Sequence, residues 1–173
     1  MKKGFMNESA EKSTEKSAEK SAEVMTEENT KETDQEIREC NRLYKELDDI
    51  YHDISLRLGI SDSAFTIFYI INELGDGCLQ ADICYESFSN KQTINSSIRK
   101  LEQEGYLYLE QGHGRNKHIR LTDTGKAFIR EKVSPVVRMG NDAFLTLEPG
   151  ERREFLRLFK KYVENFRNSK NEL

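Results

Sequence analysis

Several protein classes are excluded by what this sequence lacks. Its cysteines, Cys40, Cys78 and Cys84, are odd in number and form no Cys-x-x-Cys pair, which argues against a disulfide framework. They are expected to be buried small hydrophobes. A thiol-sensing role for Cys40 is set aside, because nothing around it marks a lowered thiol pKa. No apolar run is long enough to span a membrane, since Ala64 to Ile71 is interrupted by Thr66 and Tyr69. After Met1-Lys2-Lys3, Glu8, Glu11 and Glu15 fall where a secretion signal would be apolar. The expectation is a cytoplasmic protein with no membrane partner. There is no Gly-rich phosphate loop, nucleophile elbow or acid–base pair, so no catalytic residue, enzyme activity or cofactor is expected. Asp48, Asp49, His52 and Asp53 share a helix face, yet no further carboxylate or histidine converges on them. They read as a solvated acidic face, and no metal site is expected.

Positive charge is absent from residues 61–89, which hold five acids and neither lysine nor arginine. Residues 90–125 reverse this, with six basic residues against four acids. The net charge of −4 therefore does not argue against nucleic acid, because the potential of the contacting face is what matters.

The chain of 173 residues, 36% hydrophobic, suits one domain with a core plus a tail. The tail, residues 1–33, repeats Ser-Ala-Glu-Lys or close variants over residues 9–24 and has no apolar stripe. It is expected to be disordered, with nascent helix at most. From Asp34 onward, Ile37, Cys40, Tyr44, Leu47, Tyr51, Ile54 and Leu58 alternate steps of three and four. That spacing predicts a helical seam, widened by Leu43 and Ile50 and ended by Gly59. A second helix, capped within Ser61–Ser63, is apolar nearly all round, which places it at the centre of a core. A short third helix runs from about Gln80 to Tyr85.

Asn90 can cap a fourth helix whose Ile94, Ile98 and Leu101 point inward. Lys91, Gln92, Thr93, Asn95, Ser96 and Arg99 then project outward, as side chains that reach base edges and phosphates do. Taken alone, this pattern fits an ordinary surface helix equally well. The hairpin downstream of the helix shifts the balance. Tyr106 to Glu110 and His118 to Leu121 alternate as strands around a Gln111–Asn116 loop. Arg115 and Lys117 give that hairpin a basic tip, and His113 and His118 are read as wing residues. A helix-turn-helix leading into such a hairpin is a winged helix, with Arg115 suited to a narrow minor groove.

The segment Ser61 to Gly125 resembles the winged helix-turn-helix of MarR-family bacterial transcription regulators. The resemblance rests on Ser89-Asn90-Lys91-Gln92-Thr93-Ile94-Asn95-Ser96-Ser97-Ile98 for the recognition helix and on Leu101-Glu102-Gln103-Glu104-Gly105-Tyr106-Leu107 for its exit. Arg115, Ile119, Leu121, Thr122 and Gly125 match the wing and the start of the next helix. The family commonly carries an aspartate two residues before the wing arginine, where this chain has His113, so the arginine is expected to be held differently. His113 can instead add charge at lower pH.

The fold class implied is mainly α with a small β-wing. The resemblance implies one MarR-like domain over residues 34–173, with 61–125 as the DNA-binding lobe and 34–59 and 126–169 as dimerisation helices. Pro135 is expected to kink or break the helix near Ser134. Pro149 opens a last helix striped by Phe155, Leu156, Phe159, Tyr162, Val163 and Phe166. The resemblance further implies a homodimer on double-stranded DNA, repression at a pseudo-palindromic operator, and a small effector, often aromatic. Tyr44, Tyr51, Phe65 and Phe68 are the candidates to line an effector pocket, with core packing as the competing reading. A winged-helix protein-interaction module that does not bind DNA is the alternative function, suggested by the acidic residues 61–89.

Overall fold

The computed structural model describes residues 8–114 and 116–170, with side chains from Thr30 onward. Two compact units divide the chain, residues 1–54 and 55–173. The first is built on a single helix, α1 (Glu8–Leu58), of which residues 55–58 are counted in the second. α1 takes in the repeat as well as the seam, so the helix begins well before Asp34, where disorder was expected. Alanine, glutamate and lysine are strong helix formers, and extending a helix already nucleated costs far less than starting one. Ile37, Leu43, Leu47 and Ile50 stand about half exposed along α1. Cys40 is exposed as well, which corrects the expectation that it is buried; it sits on the same uncovered stripe.

The second unit is the lobe that carries the site. Gly59, at φ 71°, ends α1, and Ser61 caps α2 (Asp62–Leu74) by accepting from the Ala64 amide at 3.2 Å. α2 contributes Ala64, Phe65, Ile67, Phe68, Ile70 and Ile71 to the core, as its all-round apolar character requires. Around it pack Ile83 of α3 (Gln80–Glu86) and Ile94, Ile98 and Leu101 of α4 (Lys91–Gln103). β1 (Leu107–Gln111) and β2 (Lys117–Leu121) pair antiparallel with Leu107 opposite Leu121 and Gln111 opposite Lys117. Inward residues Leu107, Ile119 and Leu121 seal the hairpin onto the helices.

A third strand-like segment that the periodicity did not reveal lies on the other edge of β2. The Gly77 amide donates to Ile119 O at 2.8 Å, and the Ile119 amide donates to Cys78 O at 2.9 Å. Leu79 bridges His118 in the same sense. Three residues are too few to show a period of two.

From Asp123 the chain is helical to Leu145, through α5 (Asp123–Phe128), a π-helical turn (Ile129–Val133) and α6 (Ser134–Leu145). The break expected near Ser134 takes the form of that π turn. Pro135 has no N–H and its ring crowds the carbonyl four residues earlier; the wider turn, with the Ser134 amide reaching back to Ile129 O, makes room without ending the helix. α7 (Pro149–Lys170) comes next and buries no residue. Its stripe is exposed, from Val163 at 37% to Phe166 at 71%.

Candidate nucleic-acid interface

α4 is fixed from both ends. Asn90 Oδ1 accepts from the Gln92 amide at 2.8 Å, and the chain leaves through Gly105 at φ 77°. The buried side of α4 is held to α2, where the Ser63 and Ser97 hydroxyls share a hydrogen bond of 2.7 Å. That leaves Lys91, Gln92, Thr93, Ser96 and Arg99 exposed on the outer side. No acid precedes Glu102 in this helix. Among the described residues no ion pair engages Lys91, Arg99 or Lys117, whereas Lys100 lies 3.8 Å from Glu104. The Ser96 hydroxyl donates to Thr93 O at 2.9 Å, which leaves its lone pairs to face outward.

Asn95 differs from its neighbours. It is half-buried, and its Oδ1 accepts from Gln80 Nε2 at 2.8 Å and from the Cys84 thiol at 3.7 Å. Its carbonyl half thus brackets α3 to α4 instead of facing outward. Gln80, which makes this bracket, carries no periodic signal that would have marked it in the sequence.

The wing is braced from its base. Asp76 Oδ1 accepts from the Leu121 amide at 2.9 Å while Oδ2 lies 3.6 Å from Lys126. One of the five acids before α4 is therefore spent inside the lobe. Another, Asp82, acts on Cys78: burial first, and then this carboxylate, raises the thiol to about 11. Burial also pushes the Cys84 thiol up, with Lys91 pulling it partly back. Arg120 does not add to the free positive charge of the wing, because its Nε donates to Glu110 at 2.6 Å.

Arg115 lies outside the described residues; its neighbours show how the loop is held. Gly112 N donates to Asn116 O at 2.9 Å, and Gly114 takes φ 65°. The Gln111 side-chain amide then donates to Gly114 O at 2.7 Å, with the Asn116 and Gly112 carbonyls at 3.3 and 3.4 Å. In a chain with histidine at position 113, Gln111 braces the loop from within. His113 itself is exposed. His118 is not: its Nδ1 meets Gly77 O at 2.8 Å, tying β2 to the preceding segment.

The four candidates for an effector pocket divide between the units. Tyr44 and Tyr51 lie on α1, 36% and 38% exposed. Phe68 is fully buried, its ring 5.0 Å from Phe128 and 5.6 Å from Tyr106, and Phe65 is buried 6.2 Å from Tyr69. Both phenylalanines serve as core residues of α2, so for them core packing accounts for the apolar face. A cavity of about 290 Å³ does open elsewhere in the lobe, lined by Leu56, Ile60, Ala64, Ser97, Lys100 and Leu101 among others.

No protein-family model and no curated protein matches the chain by sequence. Solved structures do match it in shape. A MarR family regulator from Neisseria meningitidis superposes with a TM-score of 0.68 at 16% identity, covering 79% of this chain and 97% of that one. MepR from S. aureus, solved as a DNA complex, gives 0.58 at 20% identity, covering 73% and 93%. Bordetella bronchiseptica BpsR, described with regulation of its DNA binding by 6-hydroxynicotinic acid, gives 0.55 at 18%, covering 72% and 98%. At these identities the likeness is one of architecture, and it establishes that this chain has the winged helix-turn-helix fold of the MarR-family regulators.

Proposed function

We propose that the protein is a sequence-specific DNA-binding transcription regulator that acts as a homodimer, most simply as a repressor at a pseudo-palindromic operator in a bacterial cytoplasm. The observation that carries this reading is the outer face of α4, where Lys91, Gln92, Thr93, Ser96 and Arg99 are exposed with no acid before Glu102. Amide and hydroxyl groups there match base edges, and the unpaired cations match guanine edges or phosphates. Lys117 and Arg115 extend the contact through the wing, and Asn95 positions α4 through Gln80. The DNA complex described for MepR supports the reading by shape.

Dimerisation is supported by the exposed apolar stripes of α1 and α7. Covering either one with its symmetry mate would present two α4 helices to successive major grooves. A small effector is supported by analogy with BpsR. The protein-interaction alternative loses ground because Asp76, one of the acids before α4, is held by the Leu121 amide and Lys126.

The test is a gel-shift titration on the protein's own promoter region and on random duplex, at several salt concentrations. Specific binding whose affinity falls steeply with salt is expected. Equal affinity for random duplex, or no dependence on salt, would refute the proposal.

A further inference from the structure

Between α3, the start of α4 and the base of the wing lies a notch of about 230 Å³, lined by Leu79, Gln80, Ala81, Cys84, Lys91, Asn95, Asn116 and Lys117. Its lining contains two lysines and three carboxamides but no carboxylate. Lys91 is the first residue of α4 and Lys117 the first of β2, so the two cations come from separate elements onto one small concavity. Neither is engaged by an acid among the described residues.

Two of these amides, Asn95 and Gln80, are fixed by each other. Asn95 Oδ1 already accepts from Gln80 Nε2 at 2.8 Å and from the Cys84 thiol at 3.7 Å. That orients the amide so that Nδ2, a donor, is what remains for a ligand. Gln80 is likewise committed through its own Nε2. Two ammonium groups and a donor-oriented amide at the N-terminal end of a helix favour a compact oxyanion, by charge and by the helix field together.

We propose that this notch is an oxyanion site that takes a single phosphate group, held by Lys91 and Lys117 together and by the Asn95 amide. The phosphate has two sources of the same chemistry. It can be one backbone phosphate of the duplex, in which case the site locks the recognition helix and the wing onto one point of the DNA. It can also be free phosphate, which then occupies the same lysines and displaces the DNA. The first source rests on the proposed regulator function; the second does not.

The experiment has two arms on the full chain, using wild type, K91Q, K117Q and the double variant, with folding checked by circular dichroism. In the first, inorganic phosphate is titrated at constant ionic strength while amide resonances are followed by NMR. A saturating shift of Lys91, Lys117 and the Asn95 side-chain amide that is absent in the double variant assigns the free ion. In the second, the salt dependence of duplex binding is measured. Each phosphate neutralised contributes about 0.9 to the slope. Two lysines sharing one phosphate neutralise a single charge, so the double variant should lower it by about 0.9 in all and each single variant by no more than that.

Shared loss in the slope with no response to free phosphate assigns the DNA backbone as the source. No response to free phosphate, combined with a double-variant slope that is unchanged or falls by about 1.8, overturns the proposal. Should no duplex bind at all, the regulator reading falls and the phosphate titration alone decides the notch: saturation upholds it and a flat titration overturns it.

Discussion

Gly125→Ala should destabilise the lobe, although by helix propensity alone it should help. Gly125 is buried in the first turn of α5, where its amide donates to Thr122 Oγ1 at 3.1 Å. A Cβ there would overlap Tyr106 O, and would lie 3.0 Å from Tyr106 C and 3.1 Å from Leu121 Cδ2. The obstacle is backbone, which cannot swing aside as a long side chain does. Tyr106 O also accepts from the Thr122 amide and hydroxyl, both at 3.0 Å, in the corner that joins α4, β1 and α5.

The magnitudes decide the sign. Alanine gains at most about 1 kcal/mol over glycine in a helix. Overpacking costs about 1–3 kcal/mol, and weakening one or two of the corner hydrogen bonds about 1 kcal/mol each. The expected net loss is about 2–3 kcal/mol. Urea unfolding at a fixed protein concentration, monitored by circular dichroism, should show the midpoint falling by about 1 M. An unchanged or raised midpoint would refute the steric argument.

Gln111→Ala should weaken DNA binding through the wing alone, so its effect should disappear in an Arg115→Ala background; additive losses in gel-shift titrations would show that Gln111 does not act through the loop. Phe159→Glu, set in the α7 stripe where Phe155 stacks on it at 5.7 Å, should halve the mass seen by sedimentation, and an unaltered dimer would place the interface elsewhere. Asn95→Ala should lower thermal stability by breaking the α3–α4 bracket; a variant of full stability with relaxed operator preference would instead make Asn95 a base reader. Cys78 should react with iodoacetamide far more slowly than exposed Cys40 at pH 8. Its folded pKa is raised from 9.0 to about 11, so the stability from keeping this thiol neutral is present below pH 9 and is lost between about pH 9 and 11. Equal alkylation rates would contradict that burial.

Much of the lobe is legible in the sequence because its signals are local. The cap at Asn90, the inward Ile94, Ile98 and Leu101, and the alternation of both strands each depend on residues a few positions apart. Segments stabilised by distant partners are not legible in this way. The Gly77–Leu79 edge strand exists only because β2, far along the chain, offers it hydrogen bonds. The site shows the same division. Spacing put Lys91, Gln92, Thr93, Asn95, Ser96 and Arg99 on an outer face, since a helix surface is set by its period, and of these it is Asn95 that the contact with Gln80 turns aside.

The helical order, the outward polar face of α4 and the basic hairpin follow from the residue pattern, because periodicity and capping are short-range properties. Tertiary structure alone decided which polar groups remain available. Asn95 was drawn to Gln80, Arg120 to Glu110 and Asp76 to the wing base, while Lys91 and Lys117 were left to converge on one notch. Hydrogen bonding and ion pairing select partners by distance in space, and the sequence does not contain that distance.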